Sequence, residues 1–394
     1  MVNMRLIYVF IICLLLLPSC AKHESVNQDK NTINGGKNEV NTDEIYAKWL
    51  RATEIASSLD DRLLAAQVLI SGIDGKGCLN SDIVTLLGEF PPGGIMLFKY
   101  NLDTDNDSIR ALLEQTTNLI NGESGMPPFI AVDHEGGTVN RFRRGTADLP
   151  DASSYWELSL SQGRQTALIK IENDSLKAGK ELKDLGINVN FAPVAEYLND
   201  SNRVFLSRRS YGSDPLFTAN AAQAFIRGME QAGVMCVIKH FPGIAGTDPH
   251  YSSSVINEDR SELDKLVFPF KALIDSIHGG GAIMVSHTVV SALDGRIASL
   301  SKAVMEDWLR GELGFSGLLI ADDFSMASAG MLSPDKLAVL SIAAGADMVL
   351  VWPKDLRRTH SAIMYALYDG RLSREKLRKT AYRIIIKKIN MGLM

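Results

Sequence analysis

Short, continuously apolar runs recur between residues 95 and 352, and each gives way to polar or ionisable side chains or a tight turn. Seven are candidate strands: Ile95–Phe98, Phe129–Val132, Val189–Ala192, Val234–Ile238, Ala282–Ser286, Leu318–Ala321 and Met348–Trp352. Runs of this length without polar alternation fit strands buried on both faces, hence a parallel sheet covered by helices. Helical patterns lie between them. From Ile109 to Ile120, for instance, apolar residues fall at steps of three and four. Ser333-Pro334 offers a helix cap followed by a proline in the first turn. Gly186, Gly233, Gly281, Gly317 and Gly345 stand just before strands, where a left-handed residue can turn the chain off a helix end. Periodicity alone leaves a closed barrel and a doubly wound open sheet both open. No Gly-x-Gly-x-x-Gly opens a helix, so nothing supports nucleotide binding.

The strand ends carry the chemistry. Asp133, His134 and Glu135 follow the run ending at Val132, and Glu196 follows the run entering Pro193. Lys239 and His240 follow Ile238, His287 follows Ser286, and Asp322 and Asp323 follow Ala321. In a parallel barrel these ends share one rim, where active sites are built. The densest stretch is 239–250: Lys239-His240, a Pro242-Gly243 turn, a loop of small residues, then Asp248-Pro249-His250.

The first 20 residues differ in kind. Arg5 precedes an apolar segment, Leu6 to Leu17, too short to span a bilayer as a helix and shaped like a signal peptide. Leu17-Pro18-Ser19-Cys20 is similar to the bacterial lipobox, in which the cysteine is lipidated. Residues 21–44 are rich in Asn, Lys and Glu without a buried apolar pattern, and read as a flexible tether. The expected organisation is a lipoprotein-type signal at 1–20, a tether at 21–44 and one globular domain at 45–394. Such a chain is exported and anchored to a membrane of the cell envelope through Cys20. The net charge of −5, with no basic stripe, excludes an electrostatic case for nucleic acid. Cys78 and Cys236 are far apart and make neither a disulfide framework nor a metal motif.

A rim of carboxylates, Lys, Arg and His serves either a metal or glycoside chemistry. A metal would need His240, His250, His287 and Asp322, but no His-Glu-x-x-His is present and Lys239 would repel a cation. No metal and no cofactor is expected. Glycoside cleavage needs a carboxylate below the sugar, which Asp322 supplies, and a proton donor at the leaving oxygen. Asp248-x-His250 suits the second role, because a carboxylate beside imidazole favours the charged ring and orients it.

The whole set of motifs resembles glycoside hydrolase family 3, in its bacterial β-N-acetylhexosaminidase branch. The matching segments are Gly93-Gly94-Ile95-Met96-Leu97-Phe98, Asp133-His134-Glu135-Gly136-Gly137, Asn190-Phe191-Ala192-Pro193-Val194 and Arg209-Ser210-Tyr211-Gly212-Ser213-Asp214-Pro215. They continue with Lys239-His240-Phe241-Pro242-Gly243, Ala298-Ser299-Leu300-Ser301, Gly314-Phe315-Ser316-Gly317, Asp322-Asp323-Phe324-Ser325-Met326 and Ala344-Gly345-Ala346-Asp347. The resemblance implies an α/β fold, a single (β/α)8-type TIM barrel with room for irregular first strands. It implies a retaining, two-displacement mechanism with Asp322 as nucleophile and His250 as acid/base, oriented by Asp248. It also implies sugar contacts from Asp133, Arg141, Arg209, Lys239 and His240, with the cations helping to keep Asp322 ionised. The substrate would be a carbohydrate ending in β-linked N-acetylglucosamine, in peptidoglycan fragments or related glycans.

Several positions depart from the family pattern. Ile244-Ala245 replace a usual His-Gly pair, the loop is two residues shorter, and Pro249 replaces the serine of the dyad. His134, Thr138 and Glu196 stand where Gln, Arg and Asp are common. A family 3 β-glucosidase, a phosphorolytic relative and a surface glycan-binding lipoprotein without turnover are the competing readings. Glu135, with its two glycines, reads as architectural, and Asp323 and Asp347 as scaffold. His287 reads as a satisfied supporting histidine, and Cys236 as core.

Overall fold

The computed structural model describes residues 42–143, 145–246, 248–276, 281–326, 329 and 332–394. The expected signal, the expected lipidation site Cys20 and most of the tether lie outside the described residues. Thr42, Asp43 and Glu44, assigned to the tether, form the first turn of a helix, Thr42–Ser58.

The strands are β1 (Leu69–Gly72), β2 (Gly94–Leu97), β3 (Phe129–Val132), β4 (Val189–Asn190) and β5 (Met235–Phe241). They continue with β6 (Val255–Ile256), β7 (Ala282–Val285), β8 (Val289–Val290), β9 (Leu318–Ala321) and β10 (Met348–Val351). Eight close a parallel barrel in the order β1-β2-β3-β4-β5-β7-β9-β10, with β10 returning to β1 through Ile70 opposite Leu350. This settles the choice left open by periodicity in favour of the (β/α)8 barrel. The strand missing from the seven sequence candidates is β1. Its apolar run is separated from that of the preceding helix, Asp61–Gln67, by Gln67 alone, so no turn residue marks the boundary.

Every barrel strand is buried along its length, as helices on the outside and packed side chains within require. The glycines before strands turn the chain as expected at Gly186, Gly233, Gly281 and Gly345, all with positive φ. Gly317 acts differently. A Cβ there would run into the Gly281 backbone and stand 2.7 Å from the Phe315 ring, so close strand approach demands glycine. The closing helix, Arg374–Asn390, packs Leu377, Ala381, Ile384, Ile385 and Ile389 inward. No helix among the described residues is long and apolar enough to cross a membrane.

Outside the barrel, β6 and β8 pair in parallel, Val255 opposite Val289 and Ile256 opposite Val290. This short ladder ties the long segment after β5 to the segment after β7. It thereby fixes the far end of the loop that carries Asp248 and His250.

Candidate active site

A cavity of about 330 Å³ opens at the C-terminal ends of the barrel strands. Asp133, Arg141, Arg209, Lys239, His240, His250 and Asp322 all line it, brought there by β5 itself and by the segments after β3, β4, β5 and β9. Asp248 adjoins through its hydrogen bond to His250. Every catalytic or sugar-contact residue expected from the sequence is therefore at this one site.

β5 extends three residues beyond its expected end, so Lys239 and His240 belong to the strand itself. The Lys239–His240 and Phe241–Pro242 peptide bonds are cis. Lys239 Nζ lies 2.7 Å from Asp133 Oδ1 and 2.7 Å from Glu135 Oε1. Arg209 grips Glu135 with two donors, Nε and Nη2, each at 2.8 Å. Arg141 Nη2 reaches the other Asp133 oxygen at 3.5 Å. Glu135 is thus a member of the charged cluster and not merely part of the turn. Burial opposes ionisation of Asp133, but Lys239 and Arg141 outweigh it and hold the carboxyl below its ordinary value. Burial is likewise overcome at Glu135, held well below its ordinary value by Lys239 and Arg209. Lys239 is raised, because its two carboxylates outweigh the burial that disfavours its charge.

One expectation needs correction. Lys239 and Arg209 do not direct their charge at Asp322; they spend it on Asp133 and Glu135. The reason is topological, since β3 and β4 bring those carboxylates and Arg209 beside β5, whereas Asp322 ends β9. The glycines after Glu135 still have their structural role. Gly136 has φ of 96°, and a Cβ on it would stand 2.8 Å from Leu149 Cβ.

His240 is held from both sides. Its backbone N donates to Glu196 Oε1 at 3.1 Å and its Nδ1 meets the same oxygen at 2.7 Å. A guanidinium only donates, so Nε2, 3.5 Å from Arg209 Nη2, stands there as the acceptor, with Nδ1 as the donor to Glu196. The other Glu196 oxygen accepts from Ile244 N at 2.7 Å. Glu196, marked in the sequence as a strand-end residue and a departure from the family pattern, thus connects His240 to the loop beyond it.

The dyad is formed. Asp248 Oδ1 accepts from His250 N at 2.9 Å and pairs with Nδ1 at 2.6 Å. Partial burial pushes Asp248 up, but these hydrogen bonds from His250 prevail and hold its carboxyl below the usual range. With Nδ1 committed, Nε2 is the atom left to exchange a proton. The His250 side chain is 60% exposed, so the dyad sits at the mouth of the cavity.

At the end of β9, Asp322 Oδ1 accepts from Asp323 N at 2.8 Å. Alternation along a strand leads one to expect only one of the pair at the sugar, yet both border the cavity. They differ in what engages them. Asp323 accepts from Ser325 N and Oγ, each at 2.8 Å, and from Trp352 Nε1 at 2.9 Å, so its carboxylate is committed to the scaffold. His287 bridges Ser299 Oγ at 2.7 Å and the Asp323 carbonyl at 3.0 Å, buried and supporting. Asp347 is likewise scaffold, accepting from Arg310, Arg383 and Leu319 N.

Comparison with known proteins agrees with this architecture. The model of the glycosyl hydrolase family 3 N-terminal domain matches residues 64–386. A beta-hexosaminidase of Methylococcus capsulatus is 35% identical over 281 residues, covering 69% of this chain and 79% of that protein. The beta-N-acetylhexosaminidase structure from Beutenbergia cavernae superposes with a TM-score of 0.72 at 28% identity, over 85% of this chain and 99% of its own. A family 3 beta-N-acetylglucosaminidase structure from Paenibacillus superposes with a TM-score of 0.78 at 27% identity. It covers 85% of this chain, which spans only 63% of the Paenibacillus chain.

Proposed function

Since the chain belongs to glycosyl hydrolase family 3, we propose that it releases terminal β-linked N-acetylglucosamine from peptidoglycan fragments or related glycans. The observation that carries this reading is the enclosure of Asp322, His250 and the charged cluster around Asp133 by one cavity of about 330 Å³. Relatives named for hexosaminidase activity support the choice of sugar.

In the first displacement an Asp322 oxygen attacks C1 of the terminal sugar while His250 Nε2 protonates the departing oxygen. Asp248 stabilises the imidazolium and keeps Nε2 pointed outward. In the second, water attacks C1, His250 takes its proton, and the Asp322–sugar bond breaks. Asp133 accepts from sugar hydroxyls, and Arg141, Arg209, Lys239 and His240 hold the ring in place. A buried, already satisfied charge network does this without reorganising during the reaction.

A panel of chromogenic glycosides tests the reading on residues 45–394. Turnover of the N-acetyl-β-glucosaminide, lost by about 10³-fold or more in Asp322→Asn, is the expected result. Undiminished activity of that variant removes Asp322 from the mechanism, and binding without turnover by the wild type returns the chain to a glycan-binding role.

The same proposal places the enzyme in the cell envelope, exported and anchored through Cys20. The apolar segment Leu6–Leu17 and Leu17-Pro18-Ser19-Cys20 support it. Metabolic labelling with a fatty acid is expected to mark the full chain and not Cys20→Ser. Equal labelling, or none of either, overturns it.

A further inference from the structure

The helix Thr42–Ser58 carries an apolar stripe that is buried along only half its length. Ile45, Trp49, Ala52 and Ala56 follow one another at steps of four, three and four, so they share one helix face. Ala52 and Ala56 are buried, as is Leu59 just beyond the helix. Ile45 is 57% exposed and Trp49 42%. Tyr46, itself 55% exposed, stacks on Trp49 with ring centroids 6.0 Å apart and planes within 17°. Large apolar residues exposed one at a time, such as Leu160 or Val204, are ordinary on a protein surface. Three within five residues, two of them in ring contact, make a patch that calls for a partner.

The position of this patch in the chain points to the partner. The helix leads through Asp61–Gln67 into the N-terminal end of β1, the rim opposite the one at which the cavity opens. Upstream, 21 residues separate Thr42 from Cys20, a length of chain that reaches at most about 75 Å. The patch therefore belongs to the first described helix after the expected lipid. Its chemistry suits the boundary between headgroups and acyl chains, where Trp and Tyr keep the ring in apolar surroundings and the polar tip in water. Charge adds little. Asp43, Glu44 and Glu54 face Lys48 and Arg51 in number, and Lys48 is taken by Glu44 at 2.7 Å. The helix has no positive excess with which to recruit anionic lipid, so the attraction is apolar and aromatic.

We infer that Ile45, Tyr46 and Trp49 dock in the headgroup region of the bilayer that holds the chain, an inference that rests on the anchoring at Cys20 proposed above. Three side chains bind a membrane weakly by themselves. A lipid anchor within a short reach raises their local concentration at the bilayer, and the two contacts then act together. The docked helix joins the barrel at the rim away from the cavity, so docking leaves the opening accessible to soluble glycan fragments.

The full chain, reconstituted through its anchor in phosphatidylcholine vesicles, tests this with lipids brominated near the top of their acyl chains, which quench a tryptophan at that depth. Four tryptophans contribute to the emission, and the difference between wild type and Trp49→Phe isolates Trp49. Bromination is expected to lower that difference by about half, at low and high salt alike. In a chain carrying Ile45→Ser and Tyr46→Ser, with and without Trp49→Phe, bromination is expected to leave it unchanged. All of these positions are exposed, and the Tm of each variant checks that it folds. Equal Trp49 emission in plain and brominated vesicles, from a chain that floats with them, overturns the docking alone. A Trp49 signal that follows protein concentration and not bromine marks the patch as a contact between two copies and overturns it as well. A wild-type chain that does not float with the vesicles refutes the anchoring at Cys20 and the docking with it, which separates the two failures.

Discussion

Replacing Glu135 by Gln removes one negative charge from a point where three charge-assisted contacts converge. Arg209 Nε and Nη2 each stand 2.8 Å from its oxygens, and Lys239 Nζ stands 2.7 Å away. The amide keeps one accepting oxygen, but its NH₂ must face Arg209 or Lys239. Neither cation can turn freely to water, since the side chains of Lys239 and Arg209 are only 3% and 16% exposed. Leaving a buried charge without its partner costs about 3–5 kcal/mol. In a chain of this size that is a fall in Tm on the order of 10 °C. Lys239 then leans toward Asp133 alone, and a displaced sugar contact lowers kcat/KM by roughly 10²-fold. The pH dependence gives a sharper check. Glu135 is held below its ordinary value of 4.5 in the folded chain. Its stabilisation is therefore complete above pH 4.5 and falls away below it, where the unfolded chain takes up a proton that the folded chain does not. Urea unfolding of both proteins from pH 7 to pH 3.5 is expected to show the widest gap at neutral pH, narrowing below 4.5. A variant as stable as wild type at pH 7, or a gap of constant size to pH 3.5, refutes the assignment.

His250→Ala is expected to slow glycosides with poor leaving groups at least 10²-fold more than activated ones; equal losses in kcat/KM remove it as the acid. Lys388, buried beneath the barrel with Nζ 2.9 Å from Gln67 Oε1 and 5.3 Å from the Phe129 ring centre, is pulled down by burial to about 7. Its ordinary value is higher, so wild-type stability should rise as pH increases from 7 toward 10. Lys388→Met is expected to be more stable at pH 7 and to lose that rise, and parallel Tm-against-pH curves for the two proteins would count against this.

The strands were legible wherever an apolar run ended in ionisable residues, because the buried parallel barrel imposes both features together. β1 was not, since only Gln67 parts its run from that of the helix before it, and it ends in Gly72 and Ile73 instead of a charge. Asp133, Lys239, His240 and Asp322 stood out for the same reason that they reach the cavity: they lie at strand ends. Glu135 was visible but misweighed, because adjacent glycines explain a turn equally well, and only the pairing with Arg209, 74 residues away, reveals the cluster. The stacking of Phe98 on Trp352, centroids 4.6 Å apart, was not legible in the sequence. Phe98 and Trp352 are 254 positions apart in the chain, and no local pattern says that β2 and β10 flank a strand ending in glycine. Lys388 did carry a signal. It falls 11 residues after Leu377, on the stripe of Ala381, Ile384 and Ile385 that packs inward, although the helix as a whole reads as basic and amphipathic.

The departures from the family pattern in the loop after β5 bear on which part of the site is rigid. Ile244 and Ala245, where His-Gly is usual, are buried. Their backbone is held: Ile244 N by Glu196 at 2.7 Å, Ala245 N by Ser254 Oγ at 2.9 Å, and Gly246 N by the Ser201 carbonyl at 2.7 Å. The Gly243 carbonyl accepts from Thr288 Oγ1 at 2.8 Å. An imidazole at position 244 would have needed polar partners in this buried place, whereas Ile244 fills the cavity wall and leaves Glu196 free to hold His240. The dyad depends on none of these bonds. Asp248 binds His250 through both its backbone and its ring, and the Asp248 carbonyl accepts from Tyr251 N and Ser252 N, so the turn is closed on itself. Substitution at 244 and 245 is therefore expected to act on His240 through Glu196, while the orientation of the His250 ring is set within residues 248–252. The Asp248–His250 pair is thus closed within its own turn, whatever stands at 244 and 245.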